Sequence, residues 1–311
     1  MTDQPAQDRL AIAAALTTVV LWASAFVGIR AAAADLSPGS IALARLAIGT
    51  MALGGLLVAR RAWRRPTRRA LALVIASGLA WFALYNVVLN TAERMVDAGT
   101  ASMLVNVGPI FLAVLAGVFL REGFPPRLVI GCAIAFGGAI VIGLVTQSDA
   151  TATIGQGSPL LGIALCIVAA LAYATGNTLQ KPALRSLSAL EVTWLACLTG
   201  AVTCLPFAPG LIQEVGQAQL SSLAWVVYLG LFPTSIAFTT WAYALSRSAA
   251  GRLGSTTYLV PPVAILMGAV LLGEAPGLIA IAGGGVCILG VIVARSRGDL
   301  GLGRLREAVA R

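Results

Sequence analysis

Apolar residues fall into ten stretches of about twenty, the length that crosses a bilayer core. Charges and Gly/Pro/Asn breaks delimit them at Leu10–Ala34, Pro38–Val58, Ala70–Asn90, Asp97–Leu120, Pro126–Val145, Pro159–Gln180, Ala189–Pro206, Leu220–Leu245, Gly251–Gly273 and Pro276–Ala294. Each stretch reads as a membrane-spanning helix. Pro109, Pro233, Pro261 and Pro262 lie inside spans and predict kinks, where neighbouring helices or cavity water satisfy the freed backbone groups. The first span has Arg9 before it and "AAAAD" after it, as a secretion signal would. It is long for a signal's apolar core and has a counterpart later in the chain, so it reads as a span.

That counterpart belongs to an internal repeat. "AGTASMLVNVGPIFLAVLAGVFLREG" at Ala98–Gly123 aligns without gaps on "AGRLGSTTYLVPPVAILMGAVLLGEA" at Ala250–Ala275. Gly99 meets Gly251, Pro109 meets Pro261 and Glu122 meets Glu274. Further on, Gly131 meets Gly283 and Gly138 meets Gly290. With one residue of slip, Trp22 lies over Tyr173 and Arg30 over Lys181. The chain thus divides into residues 10–145, residues 159–294 and a basic tail at 295–311. Five spans per half is an odd number, so the halves enter the membrane in opposite directions. The expected fold is an all-α polytopic membrane protein: ten transmembrane helices in two inverted five-helix repeats around a central cavity. Inverted halves are a signature of alternating-access transporters.

Composition agrees. Of 311 residues 59% are hydrophobic and only 11% charged, and the mean hydropathy is +0.91. A soluble chain carries about 25% charged residues. The net charge of +9 reads as topology, not nucleic-acid binding, because Lys and Arg collect on cytoplasmic loops. With a cytoplasmic N-terminus, 18 of the 21 basic residues fall inside, including the run Arg60, Arg61, Arg64, Arg65, Arg68 and Arg69. The outer loops hold only Arg30 and Arg94. Both termini are then cytoplasmic, in a bacterial-type inner membrane.

Histidine is absent, which removes Ser-His triads, His metal sites and His relays. The five cysteines sit in apolar segments without a CxxC and read as small buried hydrophobes. No cofactor or metal is expected, and no P-loop supports direct ATP use. "GGG" at Gly283 lacks a Rossmann setting and reads as a packing surface, as does the small-xxx-small pair Ala133 and Gly137. Carboxylates are scarce at span centres. Glu93, Asp97 and Glu191 are the candidate proton carriers, and a facilitator without proton coupling fits equally well.

Arg45 stands out as a permanent charge about seven residues into the second span, roughly 10 Å from its outer end. It either snorkels to the headgroups, pairs with Glu93 or Asp97, or faces the cavity and attracts a carboxylate. Its repeat partner is Ala196, so the repeat itself does not require the charge. Residues four apart share a helix face. This pairs Trp81 with Tyr85, Asn86 with Asn90, Ser102 with Asn106, and Tyr173 with Asn177, while Phe238 lies near Trp241. Each Asn either lines the cavity or bonds between helices. The candidate substrate-binding set is Trp22, Arg45, Tyr85, Asn86, Asn90, Ser102, Asn106, Tyr173, Asn177, Trp241 and Tyr258. The candidate hinges are Gly99, Pro109, Gly251 and Pro261. Trp63 and Trp225, near helix ends, read as interface anchors.

"LWASAFVGIRAA", the Arg45 span, "ASMLVNVGPIFLAVLAGVFLREG" and "STTYLVPPVAILMGAVLLGE" resemble the EamA-type branch of the drug/metabolite transporter superfamily over roughly residues 10–296. Within it the chain is similar to YddG-type exporters of aromatic and other neutral amino acids. The resemblance implies ten helices, cytoplasmic ends and a central cavity lined from both halves. The expected function is secondary export of aromatic or neutral amino acids, or related small metabolites, by alternating access. A drug or other metabolite exporter of the same fold is the alternative. A membrane-embedded enzyme is disfavoured, because no loop carries a His/Asp/Ser cluster. The expected partners are a small-molecule solute and the lipid bilayer, with no nucleic acid.

Overall fold

The computed structural model describes residues 4–61, 63–92, 94–95, 104–149, 158–272 and 278–296. Among these, every regular element is helical and no strand occurs. Hydrocarbon offers no partner to backbone N–H and C=O groups, so each span must satisfy its own.

The first half begins with α1 (Gln4–Ala32) and α2 (Pro38–Ala59). Ser37 caps α2, its Oγ accepting from the Ser40 N–H, with Pro38 in the first helical position where no donor is needed. A third span follows as α3 (Arg68–Ser77), a π-helical segment (Gly78–Leu84) and α4 (Tyr85–Ala92). Then come α5 (Gly108–Phe119) and α6 (Pro126–Asp149). The second half opens with α7 (Pro159–Ala183) and α8 (Ala189–Thr203). After a short 3-10 turn, α9 (Ala208–Val215) follows; the chain bends by 49° between α8 and this continuation. Next are α10 (Leu220–Leu229), a second π-helical segment (Gly230–Ile236) and α11 (Ala237–Arg247). The last elements are α12 (Ala250–Gly254), a 3-10 segment (Ser255–Leu259), α13 (Val260–Leu272) and α14 (Leu278–Arg295).

Five described helical runs are long and apolar enough to cross a bilayer, or six if the bent α8–α9 pair counts as one crossing. Three shorter apolar helices accompany them, at Gly108–Phe119, Pro126–Val141 and Ile281–Arg295. The described helices alone therefore do not reach the ten uninterrupted crossings expected from the sequence. Part of the reason is local. The chain turns at Asn106 and Val107 ahead of Pro109, and tightens to 3-10 at Ser255–Leu259 ahead of Pro261. Proline lacks the N–H that would bond back into the preceding turn. Glu93, Asp97, Gly99, Ser102, Glu274 and most of the basic tail lie outside the described residues.

Hydrogen bonds between helices set their relative directions. The Ser37 N–H at the start of α2 donates to Glu214 on α9 at 2.8 Å, and the Arg64 N–H beyond the end of α2 donates to Glu191 at the start of α8 at 2.6 Å. So α2 and α8 run antiparallel. Thr18 of α1 meets Thr240 and the Ala237 carbonyl of α11, and further along Ser24 meets Tyr228 of α10. At the end of α1, Asp35 accepts from the Ser222 hydroxyl at 2.6 Å and the Gln219 N–H at 3.1 Å. These two donors hold the half-buried Asp35 carboxyl below its usual range. Thus α1 runs against α10–α11. Lys181, at the end of α7, donates to carbonyls at the end of α11, Leu245 at 2.6 Å and Ser248. It follows that α7 opposes α1. Arg127 near the start of α6 meets Ser296 past the end of α14.

The repeat is also visible in local distortions. The two π-helical segments begin at Gly78 and Gly230 and are both seven residues long, at the 152-residue offset of the sequence alignment. Ser37 and Ser188 cap equivalent helices. At α8 the cap is a complete capping box: Glu191 Oε2 accepts the Ser188 N–H while Ser188 Oγ accepts the Glu191 N–H.

Small residues bring α6 and α14 into backbone contact. A Cβ on Gly290 would fall 2.4 Å from the Ala135 nitrogen, and one on Gly138 would fall 2.7 Å from the Gly283 oxygen. The expected Gly137 contact is absent: a Cβ there meets nothing within 4 Å among the described residues. Small residues occupy more than one face of α6, and composition alone does not orient the helix. Elsewhere Asn177 of α7 clamps α11: its Oδ1 accepts from the Trp241 indole N–H at 2.5 Å and its Nδ2 donates to the Tyr173 carbonyl. Trp63 is exposed and packs edge-on against Trp194 at 5.3 Å between centroids, whereas Trp225 is half-buried against α1 at Gly28.

Gly290→Ala should lower the melting temperature in detergent, with an overpacking cost of about 1–3 kcal/mol. Gly285→Ala, where a Cβ meets nothing within 4 Å, should be neutral or stabilise by up to about 1 kcal/mol of helix propensity. Asn177→Leu should destabilise by about 1–3 kcal/mol by stranding the buried Trp241 N–H, as measured by the same thermal melt.

Candidate functional site

A cavity of about 120 Å³ opens between the helices. At 10–15 Å³ per water position, it has room for on the order of ten water-sized groups. It lies toward the end of the bundle where α1 turns into α2. From α1 it takes Trp22, Ala25 and Ile29; from α2, Arg45; and from the third span, Trp81, Tyr85, Asn86, Leu89 and Asn90. Val105, Asn106 and Pro109 come from the chain entering α5. The second half supplies Tyr173, Phe238, Thr257 and Val260.

The π-helical segment explains how one span contributes so much. In a regular helix Trp81 sits over Tyr85, and Asn86 points about 100° away. Through the wider turn, bonds run from i to i+5, as in Tyr85 N–H to the Ala80 carbonyl. Tyr85 and Asn86 then both fall beneath Trp81. Asn86 stabilises the turn as well as lining the cavity, its Nδ2 donating to the Phe82 carbonyl at 2.8 Å. Asn90 Nδ2 donates to the Pro38 carbonyl at 3.1 Å and so ties α4 to the start of α2.

The floor is aromatic. Trp22 packs against Trp241 at 5.0 Å and Phe238 at 5.5 Å between centroids, and Trp81 packs against Phe238 at 4.8 Å and Tyr173 at 5.4 Å. Trp22, Trp81, Tyr173 and Phe238 line the cavity, Trp22 being the least buried of the four, while Trp241 lies behind them.

Arg45 is the cationic element. It is 5% exposed and lines the cavity. Its Nε donates to Thr234 Oγ1 at 3.0 Å, on the second π-helical segment. That segment lies hard against α2: a Cβ on Gly49 would fall 2.9 Å from Thr234 Cγ2, and one on Gly230 2.6 Å from Ile48. Pro233, which has no N–H, and the Ser235 hydroxyl bonded to the Gly230 carbonyl hold the turn open. Among the described residues no carboxylate lines the cavity. Glu191, a candidate proton carrier, is placed as a helix cap, accepting from Ser188 and Arg64.

The structure therefore brings together Trp22, Arg45, Tyr85, Asn86, Asn90, Asn106 and Tyr173 from the sequence-derived set, with Pro109 beside them. Asn177, Trp241 and Tyr258 lie behind the wall, fully buried. Gly251 sits in the first turn of α12, where its N–H donates to Glu122, and Pro261 begins α13. Sequence reasoning missed Ala25, Ile29, Leu89, Val105, Thr257 and Val260. Thr257 is the repeat counterpart of Val105, so the two halves contribute equivalent positions to the cavity. At the opposite end the bundle is sealed. Glu122 accepts from the Ala250 and Gly251 N–H groups at 2.8 and 3.2 Å, and Lys181 clasps the end of α11.

Known proteins share this organisation. A solved crystal structure superposes with a TM-score of 0.75 over 92% of this chain and 96% of its own, at 19% identity, and so shares the fold. A protein of Streptantibioticus cattleyicolor named "Probable terminal-alkyne amino-acid exporter" is 35% identical, covering 96% of each chain. "Uncharacterized transporter YdfC" of Bacillus subtilis is 33% identical over 87% of this chain and 86% of its own. A "Probable amino-acid metabolite efflux pump" of Salmonella typhimurium is 24% identical over 90% and 92%. Residues 9–144 and 160–296 each match the EamA-like transporter family. The chain belongs to that family and is a multi-pass membrane transporter, not an enzyme.

Proposed function

We propose that the protein is a secondary exporter of neutral amino acids or closely related carboxylate-bearing metabolites, working by alternating access across an inner membrane. The observation that carries this reading is the cavity itself: a buried guanidinium over an aromatic floor, with no carboxylate among its described lining residues. A guanidinium pairs with a carboxylate in a fork geometry, Asn side chains accept and donate to a zwitterion, and Trp22 and Phe238 take an apolar side chain. The names of the relatives support the same class of solute.

In this reading residues 10–145 and 159–294 are inverted five-crossing halves with cytoplasmic termini. The antiparallel course of α1 against α7 and α2 against α8 supports it. The seal at Glu122 and Lys181 is then cytoplasmic, and the cavity faces outward. Paired breaks ahead of Pro109 and Pro261 supply bending points. With Glu191 engaged as a cap, facilitated flux down a gradient requires fewer assumptions than proton antiport.

Purified protein in liposomes should move neutral amino acids, with no need for ATP. Inert liposomes across a panel of amino acids, drugs and metabolites, with correct insertion shown, would refute the assignment. Arg45→Ala should raise KM for carboxylate-bearing solutes about 10- to 100-fold, from a charged hydrogen bond of about 1.5–3 kcal/mol. Amino alcohols of the same side chain should change less than threefold in the same assay.

A further inference from the structure

The helices around the cavity are related by the repeat, but the chemistry is not. We propose that Gln180 and Tyr258 line a second, opposite-facing half of the solute path, a neutral amide-and-phenol site that takes the solute's polar end without a cation. This rests on the transporter reading above.

The repeat offset is 151 residues in the first and second spans and 152 in the third and fourth. Applied to the cavity, it exchanges Trp22 with Tyr173, Asn86 with Phe238 and Val105 with Thr257. All six line the present cavity, so they stay at its centre whichever half is open. The other lining residues are one-sided. Ile29 and Asn106 exchange with Gln180 and Tyr258, and neither of those reaches the cavity; both are 0% exposed.

A second observation concerns the same two residues. Among the described residues, neither polar atom of the buried Gln180 amide has a hydrogen-bond partner, and nor does the buried Tyr258 hydroxyl. Buried polar groups are normally paired, and leaving one unpaired in a closed wall is costly. An amide and a phenol at mirror positions of cavity residues are explained if they meet solute or water when the other half opens. Gln180 also lies directly below the seal, since the next residue, Lys181, clasps the Leu245 and Ser248 carbonyls. Releasing that clasp and the contacts of Glu122 with α12 uncovers it.

The two halves then differ in charge. Arg45 exchanges with Ala196 and Asn90 with Ala242, both fully buried. A carboxylate is therefore held by a cation on the Arg45 side, and by neutral hydrogen bonds from Gln180 and Tyr258 on the other.

Cysteine accessibility tests this without requiring transport. Gln180→Cys in inside-out vesicles should react with a membrane-impermeant cationic methanethiosulfonate at least tenfold faster than the wild-type protein, whose five cysteines are buried. In right-side-out vesicles it should not react, and Ile29→Cys should show the reverse. No modification of Gln180→Cys from the cytoplasmic side, or modification from the outer side, overturns the proposal. In a second arm, Gln180→Leu and Tyr258→Phe should each raise KM for L-phenylalanine about tenfold from the cytoplasmic face and less than twofold from the outer face. Arg45→Ala should do the opposite. A shift equal on both faces, or a gain in thermal stability with no KM change, marks the two residues as packing alone and overturns it. Sided labelling combined with absent wild-type flux would sink the amino-acid reading and leave the two-sided path standing.

Discussion

Everything in this molecule depends on one constraint: within hydrocarbon, a backbone polar group has no partner except the protein. Regular helix meets that constraint by itself. Each departure from it needs a side chain, and the structure supplies one at both π-helical segments. Asn86 takes the Phe82 carbonyl at the first π-helical segment, and Ser235 takes the Gly230 carbonyl at the second. Glu191 and Glu214 take amide N–H groups at the starts of α8 and α2, and Glu122 does so at α12. Among the described residues these carboxylates sit at helix starts, where they meet the positive end of the helix dipole, and none lines the cavity.

That placement shapes the electrostatics of the centre. With these acids engaged as caps, Arg45 faces the cavity with Thr234 Oγ1 as the acceptor at its Nε. Thr234 is itself held by the second π-helical segment, against the glycine face of α2. The buried guanidinium and the π-helical distortion are thus mechanically one unit, contributed by both halves of the chain.

The relatives fit this separation of scaffold and chemistry. The fold persists in a solved structure at 19% identity, so the helical frame tolerates extensive replacement. Frames of this kind host many cargoes, and the cargo is argued from the side chains that line the cavity. In this chain those side chains are unequal across the repeat. The residues at the centre exchange as Trp22 with Tyr173 and Asn86 with Phe238, aromatic and amide on one side answering aromatic on the other.

The membrane-embedded, all-helical class, the repeat and its offset were legible in the sequence, because hydropathy and the Pro/Gly/Glu spacing report them locally. Arg45, Trp22, Tyr85, Asn86 and Asn90 were recognisable as candidates for the same reason: polar or aromatic residues in apolar spans need a protein or water environment. Which way each residue faces was decided by tertiary structure. A wide π turn swung Asn86 beneath Trp81, a bond to Asn177 drew Trp241 behind the wall, and the rotation of α6 chose Gly138 over Gly137 as the contact with α14. Helix periodicity assumes a regular screw, and these helices are irregular where they meet the cavity. The sequence alone determined what kinds of groups lie in the spans; only packing of the two halves against each other determined which of them share a surface.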